Sequence, residues 1–194
     1  MNWLAHLYLS EPTAGFYVGN LLPDLVPVRA LADLSGEMLR GVEQHRKIDV
    51  FTDAHPIFWR SRWRLSGEYR RFSGVLVDVL YDHFLICEWS KFSSMNLQSF
   101  IADVHNSFDE LRDEIPLDAY IRLARIRENG LLCVNSEISG VLVTLERIGL
   151  GLRRPVPLEN AMSVLEKNYD DLRGDFLEFF PEMVASFSHI SLDL

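Results

Sequence analysis

Pro157-Leu158-Glu159-Asn160-Ala161-Met162-Ser163-Val164-Leu165-Glu166-Lys167-Asn168-Tyr169-Asp170-Asp171-Leu172-Arg173-Gly174-Asp175-Phe176-Leu177-Glu178-Phe179-Phe180-Pro181-Glu182-Met183 is the stretch that decides the fold class. Leu158, Met162, Leu165, Tyr169, Leu172, Phe176, Phe179 and Met183 recur at alternating steps of four and three. That spacing lays one apolar stripe along an α-helix, whereas a strand would alternate every second residue. It predicts a long amphipathic helix that Pro157 starts and Pro181 kinks or breaks. The aromatic stripe reads as core packing, with no catalytic role. The same period predicts helices at 13–22, 37–53, 56–66, 74–91, 97–114, 117–129 and 136–148. Asn96 is a cap for one of them, and Pro116 starts another. The chain is therefore expected to be all-α, a single-domain helical bundle over residues 1–194.

Composition fits that expectation and narrows the function. A chain of 194 residues can bury one substantial core. Hydrophobic residues at 48% and charged residues at 24% are ordinary for a soluble globular protein. The formal net charge of −9 argues against nucleic acid as a partner, which demands a basic footprint. No apolar stretch is long enough to span a bilayer, and Met1–His6 lacks the basic start of a signal peptide. The expectation is a cytoplasmic protein with no membrane association. Cys87 and Cys133 show no CxxC spacing and are expected to be reduced core thiols.

Within the helix at 74–91, Val75-Leu76-Val77-Asp78-Val79-Leu80-Tyr81-Asp82-His83-Phe84-Leu85-Ile86-Cys87 places two acids in an aliphatic run. Asp78 and Asp82 are four apart, so they stack on one face about one turn from each other. Burying ionised carboxylates is costly, and adjacent like charges add to the cost. Such a pair needs a cation. A divalent metal meets that need, with His83 as a second ligand type. The alternatives are a narrow opening to solvent, or neutralisation by an arginine such as Arg71.

The helix at 37–53 offers a second set. Met38, Val42, His45, Asp49 and Thr52 share one stripe, and its apolar members mark it as inward-facing. A buried His–Asp hydrogen bond would satisfy His45 without any function. Together with Asp78, Asp82 and His83, however, the two helices can build a site between them. His6, in Trp3-Leu4-Ala5-His6-Leu7-Tyr8-Leu9, and Asp24, after Gly19-Asn20-Leu21-Leu22-Pro23, extend the set. Alone, each reads as a core histidine or a turn cap. Pro23 biases Leu22 away from helix, so a turn is expected there. The combined nitrogen and oxygen donors suit manganese, iron, zinc or magnesium better than a thiolate zinc site does. The sequence holds no HExxH, EF-hand, Walker, GxSxG or dinucleotide motif.

Four ordered motifs carry a resemblance. Asn2-Trp3-Leu4-Ala5-His6-Leu7, Gly19-Asn20-Leu21-Leu22-Pro23-Asp24, His45-Arg46-Lys47-Ile48-Asp49-Val50-Phe51-Thr52-Asp53 and Asp78-Val79-Leu80-Tyr81-Asp82-His83-Phe84-Leu85 closely resemble the acyl carrier protein phosphodiesterase family, also called acyl carrier protein hydrolyase. The match extends to Arg153-Arg154-Pro155. The resemblance implies metal-dependent removal of 4′-phosphopantetheine from a serine of holo-acyl carrier protein, with Mn2+ the favoured metal and Mg2+, Fe2+ or Zn2+ as alternatives. It also implies a helical fold related to the HD-type phosphohydrolases. Those enzymes use an adjacent His-Asp pair, whereas this chain reads Asp82-His83. On an ideal helix His83 points roughly 140° from Asp78, while Asp82 lies only about 40° from it. The expected metal ligands are therefore Asp82 first, then His45 and Asp24, with His6 and His83 following. Asp49 and Asp78 are expected to handle the water proton or orient imidazoles, and Arg46 to reach a phosphate oxygen.

Carrier proteins are acidic as a class, so a chain at −9 must meet one through a local basic surface. Arg60, Arg62 and Arg64 with Arg70 and Arg71, and Arg153 and Arg154 with Arg147, are the expected docking rim. Arg122, Arg125 and Arg127 read equally as a solvated face. Two rival functions remain. One is a helical metal phosphohydrolase for nucleotides or small phosphoesters; the other is a non-catalytic binding protein whose polar core is only a hydrogen-bond network.

Overall fold

The computed structural model describes residues 2–34 and 36–187. It runs α1 (Trp3–Tyr8), α2 (Ala14–Leu25), α3 (Gly36–Ala54), α4 (Pro56–Arg64), α5 (Ser66–Tyr69), α6 (Ser73–Cys87), α7 (Trp89–Phe92), α8 (Leu97–Glu110), α9 (Leu117–Glu128), α10 (Ile138–Gly151), α11 (Met162–Lys167) and α12 (Tyr169–Phe187). Among the described residues there is no strand. The all-α expectation holds.

Local chemistry sets the helix starts. Thr13 accepts from Phe16 N to open α2, and Asn96 accepts from Gln98 N to open α8. Each side-chain oxygen satisfies an amide that has no partner inside the helix. Pro56 sits in the first turn of α4, where its missing N–H costs nothing.

Helix α6 runs through the middle of the core, touching α1, α4, α10 and α12. Tyr81 and Phe84 on α6 meet Phe176 of α12 at ring-centroid distances of 5.3 and 5.9 Å. Phe176, Phe179, Phe180 and Met183 are fully buried, so the aromatic stripe is core. Burial of each such side chain contributes about 1.5–3 kcal/mol.

Several boundaries differ from the expected ones. The C-terminal helix breaks at Asn168 and continues through Pro181. Asn168 takes φ −106° and ψ 11°, and its side-chain amide donates to Val164 O at 2.8 Å. That local bond competes with the helical ladder and ends α11. The helix expected at 74–91 likewise divides, at Glu88. Pro23 does not end α2, which continues to Leu25 and so carries Asp24 on its last turn. Helix α1 was not among the expected helices; six residues are too few to show a period. Cys87 lies exposed at the end of α6, and Cys133 is only partly buried.

The α2–α3 pair is the most extensive helix contact in the molecule. Glycines make it close: a Cβ at Gly19 would collide with the Met38 carbonyl, and one at Gly41 would lie 2.8 Å from Phe16 O. The obstruction in both cases is backbone, which cannot rotate away. Gly19→Ala should therefore cost about 2–3 kcal/mol, read as a lowered melting temperature. A melting temperature equal to wild type would show that the pair can separate cheaply.

Candidate active site

The close approach of α2 and α3 brings their polar groups together beneath α1. His45 Nδ1 lies 2.7 Å from the Asn20 carbonyl, so that nitrogen carries the proton and donates it. His6 Nδ1 lies 3.1 Å from Asn20 Oδ1. The Asn20 amide orientation is fixed by its other neighbours: Nδ2 lies 3.2, 2.7 and 3.2 Å from His6 O, Ser10 Oγ and Gln44 Oε1, three acceptors that share its two protons. Gln44 is held in turn by donation to Leu9 O at 2.8 Å. With Oδ1 facing His6, that ring also donates from Nδ1. One residue thus sets the tautomer of both imidazoles and leaves each Nε2 with a lone pair.

Both Nε2 atoms face the same carboxylate. His6 Nε2 is 3.2 Å from Asp49 Oδ1, and His45 Nε2 is 3.1 Å from Asp49 Oδ2. The rings stack with centroids 4.1 Å apart and planes 16° from parallel. His6 is fully buried and His45 nearly so, whereas the Asp49 side chain is 43% exposed. The site is therefore a closed floor with one open side. Asp24, at the end of α2, also faces that opening: its Oδ1 is 3.8 Å from His45 Nε2, and its Oδ2 accepts from Trp3 Nε1 at 3.1 Å. The Arg147 guanidinium lies over the Trp3 ring at 5.8 Å.

The electrostatics follow from this geometry. Burial pushes His6 down to about 4, against the pull of Asp49. For His45 burial also acts downward, but the hydrogen bond and charge of Asp49, helped by Asp24, outweigh it and raise its pKa. Burial would raise Asp49, yet the two imidazoles hold it well below the usual carboxylate range. His6 Nε2 makes no aligned hydrogen bond despite its distance from Asp49. A proton can bridge His45 Nε2 and Asp49, and a cation could take its place among the same atoms. His6, His45 and Asp49 present donor atoms within 4.8 Å of one another, a spacing and a nitrogen–oxygen mixture suited to a divalent ion.

Other expected residues stand elsewhere. Asp82, expected first among the ligands, receives Leu4 N at Oδ2 and Ala5 N at Oδ1, both at 3.3 Å. It satisfies the start of α1 from another helix, and burial raises its pKa to about 7 despite these bonds. His83 has both nitrogens engaged, Nδ1 with Asn135 O at 2.7 Å and Nε2 with Tyr169 Oη at 2.8 Å. An Asp82–His83 dyad is not formed, because the two side chains serve different neighbours. His83→Gln is accordingly expected to cost about 1–3 kcal/mol of stability while turnover stays within about twofold of wild type. Melting and rate measurements on the same preparation decide it; a lost activity with intact stability would return His83 to the site.

Asp78 lies on α6, where burial raises its pKa and the negative charge of Asp49 adds to the shift. Arg46 is exposed on α3, about 100° round the helix from His45. Arg60 and Arg64, expected in the docking rim, are each paired with acidic groups of this chain. Their Nε atoms bind the buried Asp175 carboxylate at 2.7 and 2.9 Å, joined by Ser61 Oγ at 2.7 Å. Arg62 instead lies over the Trp59 ring at 4.4 Å, and Arg153 and Arg154 are exposed. The sequence reading gave no role to Asn20, Gln44 or Trp3. The available signal was a lone amide at Asn20 between the apolar pairs Tyr17-Val18 and Leu21-Leu22.

Fold and site together define an all-helical protein with a buried imidazole–carboxylate centre that opens on one side. The comparisons with known proteins narrow this class. A family profile described as acyl carrier protein phosphodiesterase matches residues 1–183. Acyl carrier protein phosphodiesterase from Yersinia pestis is 30% identical over 97% of this chain and 98% of its own length. The protein of the same name from Escherichia coli strain SE11 is 31% identical, covering 99% of this chain and all of its own. One from Photorhabdus laumondii is 29% identical over 95% and 93%. The chain belongs to the acyl carrier protein phosphodiesterase family. No solved structure matches it.

Proposed function

We propose that this protein hydrolyses the phosphodiester between 4′-phosphopantetheine and a serine of holo-acyl carrier protein, releasing the arm and the apo-carrier. The observation that carries this reading is the convergence of two buried Nε2 atoms on Asp49, with Asn20 fixing both tautomers. His6, His45 and Asp49 would hold a divalent metal, Mn2+ before Mg2+, Fe2+ or Zn2+. Such an ion supplies a water of lowered pKa and polarises the phosphoryl oxygen.

The chain's own residues do the rest. Asn20 and Gln44 keep the imidazoles oriented as the substrate arrives. Asp24 stands at the open side, its Oδ2 held by Trp3, so Oδ1 is positioned to take a proton from the attacking water. Arg147 beside Trp3 places positive charge near the entering phosphodiester. The closed floor under His6 excludes bulk water from the back of the site.

Intact-mass measurement tests the reading. Holo-carrier incubated with the protein and Mn2+ should lose the phosphopantetheine mass, and protein purified without chelators should carry stoichiometric metal. An unchanged carrier beside a hydrolysed nucleotide panel would overturn the substrate assignment. Absence of metal with full activity would overturn the cation.

A further inference from the structure

The net charge of −9 would repel an acidic partner, and Arg60 and Arg64 are paired with Asp175. Basic groups not so engaged line two cavities. A cavity of about 520 Å³ is lined by Trp59, Arg62, Trp63, Arg70 and Ser73. Trp59 and Trp63 are 54% and 77% exposed, far more than large aromatic residues usually are. Arg62 stacks on Trp59, and its Nε is buried with no hydrogen-bond partner. A second cavity, of about 560 Å³, is lined by Arg71, Phe72, Leu152, Arg153, Arg154 and Val156. The segment 70–73 contributes to both, Arg70 and Ser73 to the first and Arg71 and Phe72 to the second. Among the described residues, no acidic side chain lines either one.

We infer that these two cavities form the docking surface for the acidic carrier protein, with Trp59 and Trp63 gripping an apolar side chain beside the arginine contacts. The inference rests on the carrier being the substrate. Charge complementarity selects the occupant: Arg62, Arg70, Arg71, Arg153 and Arg154 form a basic surface on an acidic chain. Exposed indoles beside guanidinium groups also have the composition of binding hot spots. Placement agrees. Helix α4, which carries Trp59 to Trp63, follows directly on α3 with His45 and Asp49. Helix α6 begins at Ser73, five residues before Asp78, about 7.5 Å along the axis.

The test compares two charge-matched pairs. Arg62→Glu with Arg70→Glu should raise KM for holo-carrier at least about tenfold with kcat unchanged. Arg122→Glu with Arg125→Glu, exposed on α9, should change KM by less than about twofold. Trp63→Ala, which alters no charge, should raise KM as well. Binding of apo-carrier, which has no arm to cleave, should weaken in parallel, while hydrolysis of a small phosphodiester should not move. Should Arg62→Glu fail to fold, Arg153→Glu with Arg154→Glu carries the same expectation. Equal effects from the two matched pairs would overturn the docking face, as would wild-type self-association abolished by these variants with KM for carrier unmoved. If wild-type protein leaves holo-carrier intact, the functional reading falls; apo-carrier binding then decides the surface separately.

Discussion

Asp49→Asn should lower kcat/KM for holo-carrier by roughly 10³-fold or more, about 4 kcal/mol of transition-state stabilisation, and empty the site of metal. Asparagine has nearly the same shape, so the packing of α3 need not change. Its amide, however, can donate a proton to one of the waiting Nε2 atoms. The substitution thus satisfies an imidazole without a cation and removes the charge that would attract one. The fold should survive, with a characteristic pH response. Asp49 is held below the usual carboxylate range, so its contribution to stability is present above about pH 4 and is lost as pH falls through the depressed value. Metal-free wild type should therefore be more stable than the variant at pH 6, and the gap should close in acid. Metal analysis, turnover and melts at two pH values check all three statements. Full metal content with turnover within tenfold of wild type would remove Asp49 from the site.

Asp82→Ala is expected to have the largest effect on stability, about 2–4 kcal/mol. It leaves Leu4 N and Ala5 N without their acceptors in a buried place. Helix α1 has only six residues and cannot hold itself in position. His6 rides on that helix, so turnover should fall with stability even though Asp82 lies outside the cation cluster. Asp82→Asn keeps one acceptor oxygen and should be intermediate. The pH dependence runs opposite to that of Asp49. Burial raises Asp82 to about 7, so its contribution is full below the ordinary carboxylate pKa and fades as pH rises through 7. The melting gap between metal-free wild type and Asp82→Ala should be wider at pH 5 than at pH 8. A gap that widens with pH would contradict the raised pKa, showing that the two amide bonds outweigh burial.

The helical class was legible because the signal was repetitive. Eight apolar positions from Leu158 to Met183 share one period, and no single substitution could hide it. What the period cannot show is where a helix pauses. Asn168 ends α11 through one side-chain bond, while Pro181, the stronger sequence signal, lies inside α12. At the site, His45 on the α3 stripe is buried as expected, Asp49 stands half-exposed beside it, and both meet His6. Asp82 was ambiguous in sequence for a physical reason. A buried carboxylate needs donors, and in sequence a metal and two backbone amides from a distant helix look alike. The role of Asn20 was hidden in the same way, since it depends on a contact that the glycines of α2 and α3 make possible.

The shared dependence of His6 and His45 on Asn20 has a consequence for protons. With both Nδ1 atoms already donating, the mobile proton of the metal-free site lies among two Nε2 atoms and Asp49, and the raised pKa of His45 holds it more firmly than a free imidazole would. Loading with a divalent ion must expel that proton into solution. Apparent affinity then climbs with pH until His45 is neutral. The measured heat of loading takes up the ionisation enthalpy of whatever buffer receives the proton, so calorimetry in two buffers would count it directly.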